Sequence, residues 1–526
     1  MQLDTRFTLA RNIQSRWLHY LTLLCIVALV TTELTSTAAA DVATAAARRP
    51  NIVIILADDF GYGDAPCYNP NAKLPMPNID RLAGEGMRFT DAHSGSSVCS
   101  PTRYGLLTGR YAWRTRLQSG VLKAYDAPLI TPGRLTVASL LKQQGYHTAC
   151  IGKWHLGWNW PIAEGQKVPD FTQPITDGPI TRGFDIYFGT HVPNQAPYVF
   201  IDQDRTVGLP TATKPVDRVQ ISGGEGPMLP GWKFEEILPT ITARAVKYVD
   251  ERAKAREPFF LYMPLTTPHE PISPSARFQG KSGINPLADL MLETDWSVGE
   301  VLATLDRNGI ADNTLVVFAT DNGHATYTGL DPLLKAGHQP SGPLRGYKTS
   351  IYEGGHRVPF IARWPGVVQA KSTCDETICH TSLLATCAEI VGAKLPDNAS
   401  EDGASIMPLL KGEKSTSPIF AAVVHHSAAG QFAIRQGRWK LIFPAPKEKL
   451  RAESGKLNTT NALKNVELYD LVDDIGESHD RAPEQPEIVN RLSRLMEKYV
   501  ADGRSMPGAK QLNDVDVNIW KGAPPR

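Results

Sequence analysis

Cysteine is scarce: the chain has seven in 526 residues, with no C-x-x-C pair among them. That excludes a disulfide-dense scaffold and gives no signature of structural zinc or of a dithiol redox centre. Net charge is nearly absent, 55 Lys and Arg standing against 54 Asp and Glu, so the overall field gives no reason to expect nucleic acid or an anionic membrane as the main partner. No apolar run reaches the roughly 20 residues that a bilayer span requires. Internal repeats and low-complexity tracts are also lacking. What is there is length enough for a large core, together with 43 Gly and 40 Pro, the composition of a rigid scaffold that carries long loops.

The first forty residues read as an address rather than as fold. Arg6, Arg11 and Arg16 precede a short apolar stretch over residues 20–30, and Ala38-Ala39-Ala40 precede Asp41, the layout of a secretory signal with an A-x-A cleavage site. Leu24 stands before Cys25 where a lipoprotein signal has a small residue, so lipidation is not expected. The chain is therefore expected to be exported, periplasmic or secreted, with no stable membrane span. Residues 41–526 carry 52 basic and 52 acidic side chains. Cys379 and Cys387 read as buried thiols on an apolar segment, and a single disulfide within Cys374, Cys379 and Cys387 remains open.

Past residue 50, strand and helix signals alternate. Asn51-Ile-Val-Ile-Ile-Leu56 is a continuous β-branched run, suited to a strand buried on both faces of a largely parallel sheet. Helical periodicity over 136–144, closed by Gly145, precedes a strand over 146–151. Helices over 237–255 and 289–307 precede strands over 258–264 and 314–320. Residues 160–230 read as excursion loops. After about residue 412 come antiparallel strands over 431–443 and 466–472 and an amphipathic helix over 487–501. The expected fold is α/β: a large mixed, mostly parallel sheet flanked by helices over 41–412, and a smaller C-terminal α+β unit with an antiparallel sheet over 413–526.

Four of these strands end in polar residues: Asp58-Asp59, Lys153 and His155, His269, and Asp321-Asn322. Ligands bind beyond the carboxyl ends of strands in an open parallel sheet, so these groups are expected to converge. Asp58, Asp59, Asp321 and Asn322 are hard oxygen donors, and adjacent carboxylates repel unless a cation neutralises them. A Ca2+-like ion is implied. One Asp pair alone would serve equally as a helix cap; the Asp-Asn pair at a second strand end favours the ion.

The segment from Ser96 to Arg110 carries most information. Pro101 suits the first turn of a helix and puts Cys99 at its N-terminus, where free N–H groups favour an anion. Arg103 falls one turn on, on the same side. On these grounds Cys99 is a nucleophile of lowered pKa or the attachment point of an anionic intermediate; the plain alternative is a buried cysteine beside a capped helix.

Cys99-Ser-Pro-Thr-Arg103 followed by Leu106-Leu-Thr-Gly-Arg110 resembles the signature of the formylglycine-dependent type I sulfatases, arylsulfatase-like members of the alkaline phosphatase superfamily, in which the Cys of C-x-P-x-R is oxidised to an aldehyde. Asp58-Asp-Phe-Gly-Tyr-Gly-Asp64, Gly152-Lys-Trp-His-Leu-Gly157, Thr267-Pro-His269, Asp321-Asn-Gly323 and Lys348-Thr-Ser-Ile-Tyr-Glu-Gly-Gly355 follow in the family's order, so the likeness covers about residues 50–370. Trp439-Lys-Leu-Ile and Glu467-Leu-Tyr-Asp-Leu resemble the family's C-terminal sheet with less specificity.

The resemblance implies hydrolysis of sulfate esters. Asp58, Asp59, Asp321 and Asn322 would bind Ca2+, joined by the formylglycine made from Cys99 by a maturation enzyme. Arg103 and His155 would orient its geminal diol and Asp321 would deprotonate it. Lys153 and Lys348 would hold sulfate oxygens, and His269 would bind substrate and give a proton or hydrogen bond to the leaving oxygen. One hydroxyl would attack sulfur, and the second would expel sulfate, a release that serine cannot perform. Two positions depart from the pattern: Thr190-His-Val-Pro-Asn-Gln-Ala-Pro-Tyr198 offers no Ser for sulfate contact, and Ser382 stands where an Asp is expected.

Asp64 is expected to brace its loop, and His425-His426 to be structural. His191, His324, His338, His356 and Arg357 stay unassigned near the site. Trp160, Phe184, Tyr187, Tyr198 and Trp232 are candidate aromatic faces for a sulfated carbohydrate, the expected substrate; equally, they could be core. The alternatives are an aryl or lipid sulfatase, a phosphodiesterase or phosphonate hydrolase on the same scaffold, and an inactive calcium-dependent glycan-binding protein. Asn398-Ala-Ser400 and Asn458-Thr-Thr460 are glycosylation sequons.

Overall fold

β1 (Asn51–Asp58) is buried along its whole length, and its alternating side chains feed two separate cores. Ile52, Ile54 and Leu56 join one, and Val53, Ile55 and Ala57 the other. Covered on both faces, the strand has no use for a polar alternation, which accounts for the unbroken apolar run. The computed structural model describes residues 49–214, 224–413, 417–445 and 466–521; residues 1–40, expected to be an export signal, and the sequon at Asn458 lie outside them.

A ten-stranded sheet forms around β1 from β2 (Met87–Phe89), β3 (His147–Lys153), β4 (Ile186–Thr190), β5 (Ile201–Asp202), β6 (Arg205–Thr206), β7 (Phe259–Pro268), β8 (Thr314–Thr320), β9 (Phe360–Arg363) and β10 (Ser372–Cys374). Its order is β10-β2-β9-β8-β1-β7-β3-β4-β5-β6. The central block β8-β1-β7-β3-β4 is parallel, while β9 runs against β8 and β2, and β5 runs against β4 and β6. Among the helices are α1 (Pro77–Glu85), α2 (Cys99–Thr108), α3 (Val137–Gln143), α4 (Ile237–Arg252), α5 (Pro286–Arg307), α6 (Glu353–His356), α7 (Ser382–Val391) and α8 (Pro486–Ala501). Of these, α2, α3 and α7 pack on one face of the sheet and α1, α4 and α5 on the other.

Local chemistry sets the boundaries. Thr136 closes a capping box with Ser139 at the start of α3. Helix α5 begins three residues before the expected Asp289, because the Asn285 side chain accepts from Ala288 N at 2.8 Å and Pro286 occupies the first helical position. β7 runs past residue 264 to Pro268 and so carries the chain to His269. The stretch 160–230 is not loop throughout, since it holds β4, β5 and β6. Gly189 hid β4 in the sequence; here a Cβ at Gly189 would collide with the backbone of Gly152, so the strand needs the glycine that weakens its signal.

The C-terminal sheet comprises β11 (Val423–His426), β12 (Phe432–Gln436), β13 (Trp439–Ile442) and β14 (Glu467–Asp470), paired antiparallel in that order. Residues 431–443 thus form two strands, and β11 was not anticipated. Phe432, Ile434 and Leu441 pack with Leu492, Met496 and Tyr499 of α8 and with Tyr111 and Trp113, which follow α2. No helix among the described residues is long and apolar enough to cross a membrane. The six cysteines of the described residues are free thiols.

Between the two sheets lies a buried polar seam. Lys440 Nζ of β13 donates to Glu353 Oε1 of α6 at 3.0 Å and to Glu477 Oε1 at 2.8 Å. Arg435 and Arg357 meet Asp91 at 2.5 and 3.3 Å. His93, His356 and His425 stack beside them, the His356 and His425 ring centroids 3.8 Å apart. Three carboxylates, Asp91, Glu353 and Glu477, thus face three cations, Arg357, Arg435 and Lys440, beside the clustered imidazoles. Removing one partner strands buried charge, so Lys440→Ala is expected to lower unfolding stability by about 3–5 kcal/mol, read by urea denaturation. A loss below about 1 kcal/mol, the range of an exposed pair, would show that the seam is not structural.

Candidate active site

The carboxyl ends of β8, β1, β7 and β3 lie along one edge of the sheet, where its parallel strands open a crevice. β1 brings Asp58 and Asp59, β3 brings Lys153 with His155 two residues on, β7 leads into His269, and β8 leads into Asp321 and Asn322. Cys99 is the first residue of α2 and Arg103 lies one turn later, while Lys348 comes from the loop before α6. All of these side chains are buried. Asp59, His155 and Thr349 hold φ values of 69°, 53° and 78°. Such left-handed conformations cost energy for residues with a Cβ and gather at functional sites.

Cys99 Sγ lies 3.5 Å from Asp58 Oδ1, and Lys153 Nζ is 2.5 Å from Asp58 Oδ2. Lys348 Nζ is 2.7 Å from Asp59, whose Oδ1 accepts from Asn322 Nδ2 at 2.7 Å. Arg103 grips Asp321 Oδ2 with Nε at 3.1 Å and Nη2 at 2.7 Å, and donates from Nη1 to Lys153 O. His269 Nε2 lies 3.8 Å from Asp59 Oδ2. His155 stands further out: its Nε2 faces Leu122 O at 2.9 Å, and its ring packs edge-on against His191.

Burial by itself would raise the Asp58 carboxyl, but Lys153, His269, Arg103 and Lys348 together hold it well below the usual carboxylate range. Burial and the negative charge of Asp58 push Asp321 up to about 7, against the pull of Arg103. Burial, with Lys153 and Lys348, pushes His269 down to about 4, so its imidazole rests neutral. The expectation of a low-pKa Cys99 is corrected: burial, and then Asp321, raise the thiol well above its ordinary value. The helix N-terminus does not offset full desolvation beside carboxylates, so the unmodified thiol is a poor nucleophile.

The donor set fits a hard cation. Asn322 Oδ1 is buried with no hydrogen-bond partner, its amide turned so that Nδ2 serves Asp59. An orphaned acceptor amid three carboxylates calls for positive charge, and oxygen donors suit Ca2+ or Mg2+. Asp58, Asp59, Cys99 and His269 also offer ligand atoms within 4.8 Å of one another, which brings His269 closer to the candidate ion than the sequence suggested.

Around this centre, Asp64 braces its loop by accepting from Gly61 N at 2.6 Å and bonding His324 Nδ1 and His338 Nε2 at 3.0 and 2.8 Å. Those two histidines are thereby assigned, while His356, Arg357 and His425 belong to the polar seam. The aromatic faces expected for a sugar are not available: Trp160, Phe184, Tyr187 and Tyr198 are buried in cores, and Trp232 packs on Phe200 and Phe234. Ser382 opens α7 and is buried. Two residues near the centre that sequence reasoning passed over are Glu270 and Tyr327, which carry no motif signal.

Comparison with known proteins identifies the family. Residues 50–393 match the family model described as sulfatase, and residues 347–502 match that of the N-sulphoglucosamine sulphohydrolase C-terminal region. The chain is 34% identical over 489 residues to an N-acetylgalactosamine-6-O-sulfatase of Bacteroides thetaiotaomicron, covering 86% of this chain and 93% of the relative. It is also 34% identical to human arylsulfatase A, covering 86% and 88%. A solved structure connected with glycosaminoglycan metabolism by B. thetaiotaomicron aligns with a TM-score of 0.76 at 32% identity, covering 86% of this chain and 99% of that one. Another, Ps i-CgsB in complex with k-i-k-neocarrahexaose, aligns with a TM-score of 0.66 at 26% identity, covering 88% and 95%. The chain belongs to the sulfatase family and is a sulfuric ester hydrolase.

Proposed function

We propose that this sulfatase acts on sulfated carbohydrates, with Cys99 matured to formylglycine by a formylglycine-generating enzyme and one Ca2+ held by Asp58, Asp59, Asp321 and Asn322. The observation that carries the reading is the placement of Cys99 Sγ 3.5 Å from Asp58, which Lys153 also meets, beside an Asp59 that Lys348 and His269 face. Calcium would supply fixed positive charge toward the sulfuryl oxygens, and the hydrated formylglycine an oxygen nucleophile with a second hydroxyl for release.

The remaining work falls to side chains. Lys153 and Lys348, now paired with Asp58 and Asp59, are point charges suited to a tetrahedral anion, and a cation held by those carboxylates would leave both amines for substrate. Arg103 holds Oδ2 of Asp321, so Oδ1, which takes only a long hydrogen bond from Asp59 N at 3.3 Å, is the oxygen that would accept the proton. His269 Nδ1 donates to Glu270 O at 2.7 Å, which turns Nε2 toward the centre. An entering sulfate favours a second proton on that ring, and Nε2 can then protonate the leaving oxygen. His155, from the turn after β3, would help to orient the diol.

The names of the relatives support the carbohydrate assignment, one being an N-acetylgalactosamine-6-O-sulfatase and another having been solved with a neocarrahexaose. The reading also includes export with removal of residues 1–40, and a C-terminal unit from residue 413.

Asp58→Ala should abolish turnover and remove the calcium-dependent rise in thermal stability together, since an ion that binds only the native state stabilises it by about 2.7 kcal/mol at 100 Kd. Full activity after exhaustive chelation would contradict the ion's role. On substrate, kcat/KM for sulfated mono- or oligosaccharides, corrected for leaving-group acidity, should exceed that for an aryl sulfate. Efficient turnover of an aryl or lipid sulfate with none of any sulfated sugar would remove the carbohydrate reading.

A further inference from the structure

Glu270 follows His269 directly, and its carbonyl oxygen holds the His269 ring at 2.7 Å. Its side chain is pinned on one side only: Oε1 accepts from Asn194 Nδ2 at 2.6 Å, while Oε2 makes no hydrogen bond to a described residue and is not sealed from solvent. The carboxylate sits within electrostatic reach of Lys348, Asp59 and Lys153. The other unabsorbed feature is Tyr327, the only large aromatic exposed among the described residues, at 50%. Its hydroxyl is 3.1 Å from Lys348 Nζ. Both residues are one step from Asp59, Glu270 through His269 at 3.8 Å and Tyr327 through Lys348 at 2.7 Å.

A carboxylate accepts hydrogen bonds and gives none. Placed beside the proton donor for the leaving oxygen, it repels the sulfate itself and fits the part of the substrate that carries hydroxyls. An exposed phenol ring beside a sulfate-holding lysine offers an apolar face to the same moiety. We infer that Glu270 and Tyr327 form the leaving-group subsite: Glu270 Oε2 accepts a hydroxyl adjacent to the sulfated carbon of a pyranose, and the Tyr327 ring covers a sugar face. This rests on the sulfated-carbohydrate reading and deepens it by naming what selects the sugar. Asn194 is a positioning residue that fixes the Glu270 rotamer. A purely structural Glu270–Asn194 tie is the competing account, and it predicts no dependence on substrate hydroxyls.

The test compares a sulfated monosaccharide with its analogue lacking the adjacent hydroxyl, in the wild type and in Glu270→Ala. A site built around a hydroxyl rejects the deoxy analogue, so the wild type should lose at least about tenfold in kcat/KM, as for a hydrogen bond to a charged group. In Glu270→Ala the same deletion should cost less than about twofold, because the partner is already gone. Each ratio is taken within one protein, so partial misfolding cancels. Tyr327→Ala should raise KM for the sugar more than it lowers kcat. An equal deoxy penalty in wild type and Glu270→Ala overturns the Glu270 assignment while leaving the carbohydrate reading intact. Failure of the wild type to turn over any sulfated sugar overturns both.

Discussion

Six buried charges at one edge of the sheet constrain the rest of this molecule. Asp58, Asp59 and Asp321 face Lys153, Lys348 and Arg103 with almost no exposure to water. No one of them would tolerate that burial alone, since an unpaired ion in the interior costs several kcal/mol. Their pairing therefore demands that three strand ends, one helix start and one loop meet at matched heights. The registers of β1 with β7 and β8 deliver this alignment, with an irregularity between Leu56 and Asp58 where the chain leaves the sheet. The positive φ angles at Asp59 and His155 are part of the same demand, because they turn each side chain where a regular strand would not.

The C-terminal sheet serves that edge as well as its own core. Thr349 N, next to Lys348, donates to Ser97 O at 2.9 Å, and Ser97 N donates to His426 O of β11 at 3.0 Å. The Ser96 hydroxyl reaches the same carbonyl at 2.9 Å. The approach to Cys99 and the loop of Lys348 are thus tied to one strand end, and Glu353, five residues beyond Lys348, is anchored by Lys440 of the same sheet. Arg435, Lys440 and Glu477 of the buried seam are remote in sequence from the active edge, yet the seam helps to fix the spacing of its two sides.

Much of this was legible in the sequence, for local reasons. The run from Asn51 to Leu56 could only be a strand with both faces covered, and the polar residues after four strands pointed to one crevice. Pro101 and the spacing to Arg103 placed Cys99 at a helix start. Other features escaped because they are not local. Gly189 concealed β4, since a close approach between strands looks like a break in one dimension. Glu353, Lys440 and Glu477 carry no shared pattern, and neither do Glu270 and Tyr327. Trp160, Phe184, Tyr187 and Tyr198 stayed open between sugar face and core, because an aromatic in a loop-rich stretch looks alike whether buried or exposed, and the structure settles them as core. The pKa of Cys99 was misjudged in sign, because helix position is visible in sequence and desolvation is not.

The account centres on a Cys99 whose thiol is too buried and too close to carboxylates to act as it stands, so its chemistry depends on conversion. The most direct measurement is a mass spectrum of the peptide containing Cys99, taken from active protein made in a host with the maturation machinery. The account predicts that the thiol is replaced by the aldehyde of formylglycine or its hydrate, in a fraction that scales with specific activity across preparations. Fully active protein that carries only unmodified cysteine at position 99 would contradict it.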